Sequence, residues 1–279
     1  MKRRSKATAS RLATLFLCAA LALLQGCAQL GTASSSSPVI DRILSRGELV
    51  VGTAGSMPPL NMTTRSGEII GLEPDLADYL AFSMGVKLRL EKLQFSELLG
   101  ALKAGKVDMV LSSMAITPER NLEAAFAGPY FVSGKCVLTK IEALASVESA
   151  SDINRANLTI TALEGSTSQT FVENLIPTAR LVTAPDYDTA VGSVLDGEAD
   201  VMVSDYPICL VTHARNPDSG LVSVITRLTF EPIGVALPAG DPLLLNFVDN
   251  ILQGLAITGR LTELEDRWFQ DGSWLQELP

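Results

Sequence analysis

Arg120 closes the block GKVDMVLSSMAITPER (residues 105–120), and its placement is the first hint of chemistry in the chain. Thr117-Pro118-Glu119 reads as a helix start, with Thr as the N-cap and Pro at the first helical position. A cation in that first turn faces the positive end of the helix dipole. A local rule broken in this way points to a use for the charge, most simply the grip of an anion. Ser112, Ser113, Ala115 and Thr117 are small and leave backbone N–H groups open to such a guest. Ser166-Thr167-Ser168, ahead of a second helix, offers hydroxyls and first-turn N–H groups, which suit an anion as well as simple capping. Residues 197–205 (GEADVMVSD) echo residues 105–113 (GKVDMVLSS), so Ser113 and Asp205 fall at equivalent strand ends. Two walls carrying Arg120 and Asp205 fit a zwitterion, guanidinium to carboxylate and carboxylate to ammonium. The plainer alternatives are an Arg120 paired with a neighbouring Glu on a solvated face, and an Asp205 capping the helix after Tyr206-Pro207.

Those residues need an alternating scaffold, and the pattern supplies one. Leu49-Val50-Val51-Gly52-Thr53 is a strand leading into a Gly- and Pro-containing loop. Gly67 marks a turn, a helix runs over residues 75–84 to Gly85, and residues 86–90 form a strand. A helix over 96–104 stops at Gly105, and Met109-Val110-Leu111 is a buried strand. The pattern restarts with a strand at 158–163, a helix at 171–176, a strand at Leu181-Val182 and a helix at 188–195. Residues 230–237 cross back to the first lobe, Asp241-Pro242 opens a long helix, and Trp268 and Phe269 pack near the end. This is an α/β chain with mainly parallel strands, in which ligands collect beyond the carboxyl ends of the strands.

Composition narrows the partners. The net charge is −9, and the first 26 residues carry five basic groups and no acid, which leaves the rest at −14. So acidic a body disfavours nucleic acid. The basic start and the apolar run over residues 12–24 have the layout of a secretory signal. Leu24-Gln25-Gly26-Cys27 resembles the bacterial lipobox, which implies lipidation of Cys27 and a membrane anchor. Residues 27–38 then form a serine-rich tether. Of the remaining cysteines, Cys136 and Cys209 lie in the same lobe, which permits a bridge, although separate buried thiols are the expectation. The single histidine, His213, leaves no metal cluster or histidine-based triad, and no cofactor is expected.

From about residue 39 to 269 the chain resembles the family 3 extracellular solute-binding proteins, the polar amino-acid receptors of ABC importers. The resemblance is carried by Gly71-Leu72-Glu73-Pro74-Asp75-Leu76, residues 102–108, Ile116-Thr117-Pro118-Glu119-Arg120, Gly128-Pro129-Tyr130 and Thr258-Gly259. It implies a type II periplasmic-binding-protein fold, two α/β lobes around a cleft joined by two crossover strands near 133–138 and 233–237. Lobe 1 would be 39–132 plus 237–279 and lobe 2 would be 133–236. Arg120 would clamp a ligand carboxylate, helped by N–H groups around Ala115 and Ser166. Asp205 would take the ammonium together with the Ser113 carbonyl. Met57 and Phe95 would hold the ligand side chain, with Thr117, Thr167 and Ser168 completing the walls. Ala115 stands where the family usually has Ser or Thr, Met57 where an aromatic is common, and Ala54 where receptors for basic amino acids often have an acid. The implied protein is a monomeric, exported, lipid-anchored receptor in the cell envelope that hands a small polar solute to a membrane permease. It is expected not to be an enzyme. The alternatives on this fold are a cyclohexadienyl-dehydratase-like enzyme, with Glu164 or Asp205 as the cleft acid, and a ligand sensor.

Overall fold

The computed structural model describes residues 37–144, 148–224 and 229–279, so the signal segment and Cys27 lie outside the described residues. Ser37 and Pro38, read above as the end of the tether, already belong to helix α1 (Pro38–Arg46), whose first turn is capped by the Ser37 hydroxyl. Strand β1 (Glu48–Thr53) follows, then β2 (Ser56–Met57), β3 (Asn61–Thr63) and β4 (Ile69–Ile70), which form a small antiparallel sheet. Helix α2 (Leu72–Met84) begins ahead of Pro74, because a proline is tolerated in a first turn whose N–H groups have no partner. After β5 (Lys87–Lys92), a 3₁₀ turn at Phe95–Glu97 takes up the start of the helix expected at Ser96 and leaves α3 at Leu98–Lys103. Strand β6 (Met109–Val110), the one-turn helix α4 (Pro118–Asn121) and β7 (Ala125–Ser133) complete the first half.

The second half runs through β8 (Lys135–Thr139), β9 (Thr159–Leu163), α5 (Thr167–Leu175), β10 (Arg180–Ala184), α6 (Tyr187–Leu195), β11 (Val201–Asp205), α7 (Tyr206–Arg215) and β12 (Val222–Val224). Strand β13 (Glu231–Leu237), α8 (Pro242–Ile257) and α9 (Arg260–Phe269) then return to the first sheet. The two large sheets have the orders β5-β1-β6-β13-β7 and β10-β9-β11-β8-β12. They are mixed rather than mainly parallel. Strands β1, β5 and β6 pair parallel with one another, as do β9, β10 and β11, and the strands flanking the crossovers, β7, β8, β12 and β13, pair antiparallel. Strand β7 escapes a reading by hydropathy because Gly128-Pro129 interrupts it. Helices cover both faces of each sheet, and Phe269 stacks on Phe131 at 5.1 Å between ring centres.

The echo between the halves is structural as well as sequential. Asp108 is buried and accepts the Val50 N–H at 2.9 Å, while the Val50 carbonyl takes the Asp108 N–H at 2.8 Å. Asp200 does the same with Thr159, at 2.7 and 2.9 Å. Each aspartate pins the loop after a helix to the start of the neighbouring strand. The charge on Asp108 is balanced by Arg42 at 2.8 Å and by Arg46, which ties α1 to the first sheet.

Cys136 and Cys209 form a disulfide with a Cα–Cα distance of 6.5 Å, which corrects the expectation of separate thiols. The reason is topological. Strand β8 pairs with β11, and α7 starts where β11 ends, with the Tyr206 N–H on the Gly134 carbonyl at 2.8 Å. The first turns of α7 therefore lie over the start of β8, where Cys136 stands.

Candidate functional site

The strand ends of the two large sheets face each other, and Arg120 lies between them. Thr117 caps α4 by accepting the Arg120 N–H at 3.3 Å, so its hydroxyl sets the turn that aims the guanidinium. Arg120 Nη1 donates to the Ala115 carbonyl at 2.9 Å on its own side, and Nη2 donates across the cleft to the Gly165 carbonyl at 3.1 Å. The Phe95 ring lies beneath, with its centre 5.6 Å from the guanidinium carbon. Among the described residues Arg120 has no ion-pair partner, and neither does it sit on a solvated face beside Glu119. Burial pushes its pKa down, and the charges of Asp205 and Glu231 oppose that shift. The helix-dipole argument has little force here, since α4 is a single turn.

The loop Ser112–Ser113 is built to a definite shape. Ser113 has φ 51°, a left-handed backbone that costs roughly 1–2 kcal/mol for a residue with a side chain. Its N–H is held by Glu73 Oε1 at 2.6 Å, and the same carboxylate accepts from Tyr130 and from Asn61 at 2.5 Å. Burial raises the pKa of Glu73, and these three donors pull it back. Ser112 donates to the Met57 sulfur at 3.7 Å and accepts the Ala54 N–H at 2.9 Å. Met57, Phe95, Ser113 and Ala115 are thus brought together, all buried, on the first wall.

On the second wall Ser166 caps α5 by accepting the Gln169 N–H at 3.1 Å, and its own N–H is taken by the Leu163 carbonyl at 3.2 Å. The Ser166 N–H expected at a ligand carboxylate is therefore occupied. The N–H groups that a first turn leaves without an intrahelical carbonyl are those of Thr167 and Ser168. Asp205 occupies the N-cap position of α7 without a capping bond from its side chain, which turns instead to Lys135. Lys135 Nζ lies 2.5 Å from Asp205 Oδ1, 2.9 Å from Glu231 Oε2 and 2.8 Å from the Thr167 hydroxyl. Tyr187 reaches Asp205 Oδ2 at 3.2 Å, and burial together with that charge lifts its phenol pKa well above the ordinary value. Glu164 is exposed.

Sequence reasoning missed Lys135, Glu231 and Tyr187. The available signal was a lysine opening the otherwise apolar strand Lys135-Cys136-Val137-Leu138, a fully buried stretch in which a charge needs a partner. Lys135 follows the first crossover at Gly134, and Glu231 starts the second, paired opposite Ser133. Their ion pair spans the two connections between the sheets. A cavity of about 430 Å³ opens beside Arg120, lined by Gly165, Thr167, Phe171 and Glu231. A larger one of about 530 Å³ lies beyond Phe95, lined by Ala54, Gly55, Asp186, Asp188 and Arg215. The smaller is the one that reaches the unpaired guanidinium.

Residues 49–271 match the family model of bacterial extracellular solute-binding proteins, family 3. The chain belongs to this family. Its fold is the type II two-lobe fold of periplasmic amino-acid-binding proteins. Among solved structures, the chain is similar to one described as a binding component of an ABC transporter from Wolinella succinogenes complexed with lysine. It is 36% identical, with a TM-score of 0.79 over 83% of this chain and 99% of that one. An ancestral amino acid-binding protein described as a precursor of cyclohexadienyl dehydratase is 33% identical, with a TM-score of 0.75 over 82% and 99% of the two chains. The cyclohexadienyl dehydratase of Pseudomonas aeruginosa is 28% identical over 83% of this chain and 86% of that protein. Membership in the family makes this a bacterial extracellular solute-binding fold.

Proposed function

We propose that this protein is the extracytoplasmic receptor of an ABC importer, closing two lobes over a small polar solute that carries a carboxylate. The observation that supports this reading is Arg120, a cation enclosed between the lobes whose partners are two carbonyls, one from each side. A guanidinium offers five donors in a planar fork, so a ligand carboxylate can replace or join the carbonyls bidentately. The clamped carboxylate would bridge the walls, as the Arg120–Gly165 contact does now, and thereby favour closure about the crossovers at Gly134 and Glu231. Ser113, Ala115, Thr117, Met57 and Phe95 would shape one wall and Ser166, Thr167, Ser168 and Asp205 the other. Cys27 would carry the lipid that holds the receptor at the membrane beside its permease. Isothermal titration against small carboxylates tests the reading: a binder should lose about 2–5 kcal/mol of affinity in Arg120→Ala, since a buried carboxylate is left unpaired. A variant that binds as tightly as the wild type would refute it.

The second reading is a dehydratase, favoured by the relative from Pseudomonas aeruginosa and by the cluster of Lys135, Asp205, Glu231 and Tyr187 in the cleft. Conversion of prephenate or arogenate to an aromatic product, with loss of water from the ring hydroxyl and of the ring carboxylate as carbon dioxide, followed by absorbance, would decide for it. Glu164 is the weaker of the acids named for that role, because an exposed carboxylate lacks the apolar surroundings that make a general acid.

A further inference from the structure

One lysine stands against two acids at the crossovers. Lys135 is wholly buried, and its Nζ lies 2.5 Å from Asp205 Oδ1 and 2.9 Å from Glu231 Oε2. One ammonium balances one carboxylate, so the three together keep a negative charge. Geometry assigns that surplus to Glu231. Lys135 donates its hydrogen bonds to Asp205 and to the Thr167 hydroxyl at 2.8 Å, and Asp205 also accepts from Tyr187 at 3.2 Å. Glu231 accepts from the hydroxyls of Thr167 at 2.9 Å and Thr229 at 3.1 Å, neutral donors that steady its carboxylate without cancelling its charge. The Thr167 hydroxyl thus accepts from Lys135 and donates to Glu231, a relay that fixes where Glu231 points.

Position separates the two acids further. Glu231 lines the cavity of about 430 Å³ that Arg120, Gly165 and Thr167 also line, and Asp205 does not. Both acids act on Arg120, where their charges oppose the downward pKa shift that burial causes. A guanidinium and an uncancelled carboxylate therefore open on one space.

We infer that Glu231 is a specificity-determining residue, the carboxylate that receives the ammonium of a ligand whose own carboxylate is held by Arg120, and that Lys135 and Thr167 position it. The inference rests on the reading of Arg120 as the carboxylate clamp. It moves the ammonium seat from Asp205, which is committed to Lys135, to the first residue of β13. An ammonium bound there touches the second crossover itself, so the ligand would act directly on the connection about which the lobes close.

The test is calorimetric titration of the full protein with L-amino acids, each paired with the 2-hydroxy acid of the same side chain: alanine with lactate, phenylalanine with phenyllactate, glutamate with 2-hydroxyglutarate, and so on through the common side chains. In the wild type the best pair should bind through its amino acid, with the hydroxy acid at least tenfold weaker. Glu231→Gln removes the charge and keeps the shape, and Lys135 then balances Asp205 alone. The amino acid should lose tenfold or more in affinity and the hydroxy acid little. A residue that only shaped the crossover would lower both members alike, and that outcome overturns the inference. So does a wild type that binds both members equally. In either case Arg120 keeps its role, provided Arg120→Ala abolishes binding of both. If no pair binds, or binding ignores Arg120→Ala, the clamp reading falls and takes the inference with it. Should Glu231→Gln fail to fold, Glu231→Asp, which draws the charge back by one methylene, should split the pair in the same direction; equal losses there also overturn the inference.

Discussion

Glu73 has no solvent exposure, yet its carboxylate organises the first wall through the Ser113 N–H, the Tyr130 hydroxyl and the Asn61 amide. Asn61 cannot turn to suit an amide partner, because its oxygen already accepts the Gly55 N–H at 2.7 Å. Glu73→Gln therefore sets two NH₂ groups against each other and should destabilise the fold by about 1–3 kcal/mol, read from the urea midpoint. The pH dependence has a definite sign. Burial raises the folded pKa above the ordinary value of 4.5, so the folded state holds the proton more tightly than the unfolded chain. The wild type should lose this part of its stability as pH rises from about 4.5 through the folded value, and Glu73→Gln should flatten that stretch of the profile. At this scale the position of Arg120 between the walls was legible from the block Ile116-Thr117-Pro118-Glu119-Arg120, and that of Asp205 at a strand end from the echo with Ser113. Lys135 and Glu231 were not, since what matters is their pairing 96 residues apart across two crossovers, which no local spacing records.

Elements bring these residues together, and two junctions are open to direct test. Gly165 has φ 73°, and a Cβ built there would lie 3.1 Å from the Ser96 backbone on the opposite wall. Gly165→Val should hold the lobes apart, lowering ligand affinity at least tenfold and raising the radius of gyration in small-angle X-ray scattering; unchanged affinity would remove Gly165 from the closing contact. The disulfide between β8 and α7 closes a loop over a sequence separation of 73. Its removal in the double variant Cys136→Ala/Cys209→Ala should cost up to about 4 kcal/mol, seen as a lower denaturant midpoint. The bridge was beyond sequence because pairing depends on where α7 lands over β8. Helix caps and strand starts were legible, since Thr117-Pro118, Ser166 and Asp241-Pro242 act locally. The antiparallel strands β7 and β12 were not, because one contains Gly128-Pro129 and the other is three residues long.

For the whole molecule the consequence is a cleft whose two walls come from two sheets, with a cluster of one lysine and two carboxylates on one side and the cation Arg120 on the other. The acidic exterior, at −14 outside the first 26 residues, surrounds that cation with charge of the opposite sign. An anionic ligand must therefore find its attraction locally, at Arg120, and its affinity should vary little with salt compared with an exposed basic patch. Thermal unfolding of the wild type and Arg120→Ala, each with and without the tightest-binding small carboxylate found by titration, tests the central claim most directly. At a ligand concentration of 100 times its dissociation constant the wild type should gain about 2.7 kcal/mol, seen as a raised Tm. The variant should show no shift at the same concentration. An equal shift in both proteins would place the ligand elsewhere and contradict the account.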